Sequence, residues 1–181
     1  MLSIKTRKKY LKALGFYDGK VNSKWDKECE KAVLKLQKKY FRNKKEHDSK
    51  YGEKTDILLR SAYNCRGLKY FKLEEFECRC GRCTGYPAVL NRTFVKKLDT
   101  KLRPKYGPMR ITSGLRCKKH NAEIGGIANS EHLRGKAADW DCKESRKGSK
   151  ERTAIVKFCL KYFRYSYANT PGMGNSVHVN I

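Results

Sequence analysis

Asn129–Cys142, NSEHLRGKAADWDC, is the stretch that orders the rest of the chain. It starts polar, turns at Gly135 and ends in alternation. Ala138, Trp140 and Cys142 fall on one face, Asp139 and Asp141 on the other, which is the period of a strand with one face in a core. His132 precedes Asp139 by seven positions, with Gly135 between them, so a loop imidazole is brought back towards a strand carboxylate. The last residues repeat the pattern. In Ser176–Ile181 the apolar Val177, Val179 and Ile181 alternate with Ser176, His178 and Asn180, placing His178 on the polar face of another strand. Two imidazoles and one carboxylate, His132, Asp139 and His178, make a three-ligand set suited to an open zinc site whose fourth position takes water. Upstream, ITSGLRCKKHNAEIGG runs from a strand into a glycine-rich loop, with Ser113, Gly114 and Arg116 at the turn.

Between these strands the period changes. Asn91 is placed to cap a helix burying Phe94, Val95, Leu98 and Leu102, which Pro104 and Gly107 should stop. A second helix, about 150–162, presents Ala154, Ile155, Phe158, Cys159 and Tyr162. In KYFRYSYANTPGMG, Phe163 reads as core, with Tyr165 or Tyr167 facing a cleft. Helices interleaved with short strands predict an α+β unit over 65–181 with a small antiparallel sheet. Residues 1–64 read instead as three helices. Ile4, Tyr10, Leu11 and Leu14 share a face that Gly15 ends; Cys29, Ala32, Val33, Leu36 and Tyr40 recur at helical spacing opposite lysines. After a charged connection over 42–54, Thr55 is placed to cap a third helix burying Leu58, Leu59 and Ala62.

Across its 181 residues the chain carries 43 Lys and Arg against 18 Asp and Glu, a net charge of +25. With 39% hydrophobic residues, eleven Tyr, seven Phe and two Trp it is too rich in core formers for a disordered polycation. The charge calls for a polyanionic partner: nucleic acid, anionic lipid or cell-wall polymer. No apolar run is long enough for a membrane span, and the N-terminal residues do not resemble a secretory signal. The eight Cys are therefore expected as thiols rather than a disulfide framework. Cys78, Cys80 and Cys83 cluster in ECRCGRC and offer three thiolates to a second zinc, with Cys65, Cys117 or Cys142 as a distant fourth, or else remain reduced thiols. His47 and His120 lie in charged or polar segments and read as solvated.

The strings SGLRCKKHN, GGIANSEHLRGKAADWDC and VHVNI, led by FKLEEFECRCGRC, together resemble the zinc D-Ala-D-Ala carboxypeptidases and L-Ala-D-Glu endopeptidases of the hedgehog-like metallopeptidase superfamily. The resemblance covers about residues 70–181. Its pattern of S-x-H, six residues, D and a later H-x-D implies that His132, Asp139 and His178 bind Zn²⁺. It further implies that Arg116 contacts a substrate carboxylate or the oxyanion, and that Ser113 and Ser130 contact substrate. This chain has Asn180 where the family has Asp, and Asn175 where many relatives have an acid. Asn180 is then expected to support an imidazole by hydrogen bonding. The proton acceptor falls to Asp141, which shares a strand face with Asp139, or to Glu131.

The stretch YLKALGFYDGKVNSKWDKECEKAVLKLQKKY is similar to a three-helix peptidoglycan-binding domain, departing from its pattern at Asn22-Ser23, Asp26 and Glu28. The two resemblances imply a monomeric, wall-lysing peptidase of the phage endolysin kind, made in the host cytoplasm and released to the wall. The basic charge would tether it to peptidoglycan rather than to a specific nucleic acid or a membrane. The rival reading is a non-catalytic peptidoglycan binder whose metal site is structural.

Overall fold

The structure, a computed structural model, describes all 181 residues. Ser3 accepts the Thr6 N–H and starts α1 (Ile4–Ala13), and Gly15, at φ +75°, turns the chain away from it. Asp26 caps α2 (Lys27–Tyr40) by accepting the Cys29 N–H, and Cys29, Ala32, Val33 and Leu36 are buried as their spacing requires. The other oxygen of Asp26 meets the Lys8 ammonium at 2.6 Å, and Asn22 Oδ1 accepts from the same ammonium at 2.9 Å. Asn22 and Asp26, two of the departures from the binding-domain pattern, are thus partners of one fully buried cation.

The third helix, α3 (Glu53–Cys65), begins at Gly52 rather than at Thr55. Thr55 lies buried inside the first turn and accepts from the Gln37 amide at 3.1 Å. Gln37 also donates to Asp48 Oδ1 and Lys50 O and accepts the Ser49 N–H. One buried side chain therefore fixes the connection between α2 and α3, and Thr55 is occupied by that network instead of capping.

Asn91 caps α4 (Arg92–Lys97) through the Phe94 N–H. Pro104 does not stop this run. A π-helical turn over Leu98–Leu102 leads into α5 (Arg103–Tyr106) with Pro104 in its first turn, and Gly107, at φ +68°, ends it. Proline lacks an N–H and crowds the carbonyl four residues back; a widened turn relieves both problems. There follow β1 (Met109–Ser113), α6 (Lys118–Glu123), β2 (Ala137–Cys142), α7 (Ser149–Cys159), β3 (Tyr165–Ala168) and β4 (Val177–Asn180). Helix α7 is thus shorter than its apolar spacing suggested, ending before Tyr162.

The strands form one antiparallel sheet in the order β1-β2-β4-β3, so the mixed α+β expectation holds. One sheet face is core. Ile111, Ala138, Trp140, Cys142, Val177 and Val179 are almost completely buried, and Trp140 packs on Tyr106, which meets Phe158 of α7 edge-on. Truncating a buried Trp of this kind costs about 3–5 kcal/mol. The hydrophobic cluster is continuous from Leu11, Val33 and Leu58 of the helical unit to Phe76, Trp140 and Val179. At the junction Ser61 Oγ accepts the Leu90 N–H, Asn64 donates to Leu90 O, and Tyr40 meets Tyr86 edge-on. The helical unit and the sheet unit therefore share a core. No helix is long and apolar enough to cross a membrane.

Candidate metal centre

The polar face of the sheet carries a transverse row. Ser113 of β1 pairs with Asp139 of β2, Asp139 with His178 of β4, and His178 with Tyr167 of β3. The row depends on an irregularity in β1, where the register shifts between Ile111 and Ser113. Such a bulge re-aims side chains; here Thr112 and Ser113 both line the cleft beside the row.

His132 arrives from a short 3-10 turn, Glu131–Arg134, that ends at Gly135. Gly135 has φ +68°, and a Cβ there would sit 2.3 Å from Val89 O. Only glycine makes this turn without displacing the neighbouring segment. The His132 ring is nearly inaccessible, with Nδ1 2.7 Å from Gly114 O. A carbonyl can only accept, so Nδ1 carries the proton and Nε2 presents a lone pair. That Nε2 lies 3.4 Å from His178 Nδ1 and 3.5 Å from Asp139 Oδ1, and His178 Nδ1 lies 2.7 Å from the same oxygen.

Ligand atoms around a tetrahedral zinc stand about 3.3 Å apart for bonds of about 2.0–2.1 Å. Two of the three separations match, and the shorter one is a hydrogen bond that a metal would replace. The donor set fits Zn²⁺: His132 Nε2, His178 Nδ1 and a carboxylate oxygen of Asp139, which form one of the two metal-competent groups in the chain. Burial pushes the Asp139 carboxyl up, but the neighbouring His132 and His178 rings outweigh it and hold the group well below the usual carboxylate range. Burial pushes the His178 imidazole below its ordinary value, and the pull of Asp139 does not reverse it, which favours the neutral form that a metal ligand needs.

The surrounding groups orient these three. Arg116 donates through Nη2 to Asp139 Oδ2 and through Nε to Ser113 Oγ at 2.8 Å. Asn180 places its amide 3.3 Å from His178 Nε2. With Nδ1 on a metal, Nε2 is protonated, so the amide oxygen is the atom that faces it. Tyr167 stacks on the His178 ring, centroids 4.6 Å apart.

Peptidase M15 matches residues 69–180. The chain belongs to the Peptidase M15 family. No curated protein matches the sequence. M15 peptidases are zinc-dependent, and the matched segment contains the whole His132–Asp139–His178 group. The chain is thus a zinc metallopeptidase by family, built on an α+β domain with a four-stranded antiparallel sheet.

Two adjoining cavities, about 510 and 600 Å³, flank the candidate metal centre. Asp139, Ser113, Arg79 and His120 line the first; His132, His178, Ser130, Glu131 and Asn180 line the second; Arg116 and Tyr167 line both. The structure thus gathers Arg116, Ser113, Ser130, His132, Asp139, His178 and Asn180 around one cleft. The hydroxyl of Ser113 is committed to orienting Arg116.

Asp141 is the exception. It lies opposite Arg110 in the register of β1 and β2 and is gripped by Arg110 at 2.5 Å and Arg146 at 2.7 Å, with its carboxylate buried. Burial raises its pKa, but the two guanidiniums prevail and keep it below the usual range. A carboxylate so paired is a poor proton acceptor, and Asp141 lines neither cavity. Glu131 does line the cleft. Its Oε1 accepts from Arg134 at 3.0 Å, while Oε2 is buried with no hydrogen-bond partner. His120, read from sequence as solvated, is also on the cleft wall. Tyr167 had only its position in an aromatic run to mark it, and pairing with β4 brings it onto His178.

Proposed function

We propose that this M15 peptidase hydrolyses an internal peptide bond of peptidoglycan stem peptides. The observation that carries this reading is the cleft on both sides of His132, Asp139 and His178, which gives an extended chain room before and after the scissile bond. A carboxypeptidase needs space for only one residue beyond it, which makes L-Ala-D-Glu endopeptidase action the better fit of the two family activities. Arg79 on one side, Arg164 on the other and Arg116 between them suit a substrate bearing free carboxylates.

Bound Zn²⁺ supplies Lewis-acid polarisation of the scissile carbonyl and lowers the pKa of a water. The chain supplies the rest. His132, Asp139 and His178 hold the ion, with Arg116, Gly114 O and Asn180 fixing their orientation. Arg116 Nη1, which makes no hydrogen bond within the chain, is the donor for developing charge on the substrate oxygen. Glu131, with its unpartnered Oε2, accepts the proton and returns it to the leaving amine.

The helical unit over 1–64 then acts as a peptidoglycan-binding domain, and the +25 charge acts as a salt-sensitive tether to anionic wall polymer. Wall lysis by a monomeric phage endolysin, made in the host cytoplasm and acting after release, is the setting this activity fits. Mass spectrometry of products from a defined muropeptide tests the reading. New internal termini are expected; release of D-Ala alone would point to the carboxypeptidase, and zinc binding without any product to the non-catalytic binder.

A further inference from the structure

A second cluster of soft ligands lies outside the catalytic cleft. Cys78, Cys80, Cys83 and Cys117 place their sulfurs within 4.8 Å of one another, with Cys80 and Cys117 at 3.9 Å. All four are free thiols. In a zinc site with four thiolate ligands, bonds of about 2.3 Å set the sulfurs about 3.8 Å apart on the edges of a tetrahedron. A disulfide needs about 2.05 Å. Of the three cysteines that sequence left open as a fourth ligand, the fold selects Cys117; Cys65 ends α3, and Cys142 lies in the sheet core.

The backbone is also set for thiolates. Each sulfur accepts at least one main-chain N–H: Cys78 from Cys117, Cys80 from Arg82 and Cys83, Cys83 from Gly85, and Cys117 from His120. Amide dipoles aimed at four converging sulfurs favour the deprotonated form that a metal requires. A tetrahedral set of thiolates selects zinc or iron over harder ions, and four protein ligands leave no open position for substrate.

We propose that Cys78, Cys80, Cys83 and Cys117 bind a second, structural Zn²⁺ that clamps the 71–83 segment to the loop carrying Arg116. The two segments already meet on their backbones. Leu115 donates to Phe76 O at 2.7 Å, and a Cβ on Gly114 would stand 2.5 Å from that oxygen. Cys117 follows Arg116 directly, so the second ion fixes the guanidinium that holds Asp139 while taking no part in hydrolysis.

Metal counting on the full chain, purified under reducing conditions, tests this. Wild type should carry two zinc per chain, His178→Ala one, and Cys117→Ser one. Alkylation with iodoacetamide followed by peptide mapping gives a readout that needs no variant: the four cysteines should be protected in the metal-loaded protein and labelled after chelation. Cobalt exchange should give a thiolate-to-metal charge-transfer band in wild type and in His178→Ala. One zinc per wild-type chain with these cysteines freely alkylated would overturn the proposal. So would a disulfide among them, or iron in place of zinc.

Discussion

Arg116 binds Oδ2 of Asp139 and leaves Oδ1 turned towards His132 and His178. One carboxylate is thereby split between an orienting cation and a metal position, and Ser113 holds the far side of the guanidinium. Removing an orienting partner of a metal ligand typically costs about 10–100-fold in metal affinity or activity. Arg116→Ala should therefore weaken zinc in a chelator competition and lower kcat/KM within that range. Arg116→Lys should recover little, because a point ammonium cannot serve Asp139 and Ser113 at once. Unchanged zinc affinity in Arg116→Ala would remove Arg116 from this role.

Asn180 tests the orientation of His178. Asn180→Leu deletes the acceptor for Nε2–H and should lower zinc affinity by about 10-fold or more. Asn180→Asp supplies a stronger acceptor and should bind zinc at least as tightly as wild type. Equal affinity for all three proteins would show that the amide 3.3 Å from the ring does not position it.

Glu131→Gln keeps the shape of the side chain and removes its basicity. Loss of a general acid–base group costs about 10²–10⁴ in rate. The variant should show that fall in kcat with KM little changed and zinc retained. A near-normal kcat would take the proton transfer away from Glu131.

Asp141 should matter for stability rather than turnover. Its folded-state pKa is depressed by Arg110 and Arg146, so its contribution is present in full above the unfolded value of about 3.9 and disappears as pH falls through the folded value. Asp141→Asn, which leaves two largely exposed guanidiniums without their anion, should lower unfolding free energy by up to about 1 kcal/mol at pH 6. The gap between wild type and variant in denaturant melts should then narrow below about pH 4. A gap that widens as the solution is acidified would contradict the assignment.

The three residues of the candidate metal centre could be picked out in the sequence because each rests on a local signal: two alternating strands and one loop that turns at Gly135. The groups that depend on register were not. Nothing within AADWDC shows that Arg110 stands opposite Asp141, and nothing within RYSYAN shows that Tyr167 comes to rest on His178; both follow from strand pairing. The fourth cysteine stayed open for the same reason, since Cys117 joins Cys78 through a backbone approach at Gly114 and Phe76. Local rules also failed where tertiary contacts outweighed them. Gln37 draws Thr55 into its network and away from capping, and the π turn absorbs Pro104. The hydrophobic core passes across residue 64 without a break, so the change of composition there goes with a change of architecture rather than a gap in packing.

The central claim is that His132, Asp139 and His178 hold the zinc that cleaves stem peptide. Its most direct test is turnover of one defined muropeptide by wild type and His178→Ala side by side, both supplied with Zn²⁺ and both shown to be folded. The account expects new amino termini from wild type and none above background from the variant. Equal release by the two proteins would contradict it.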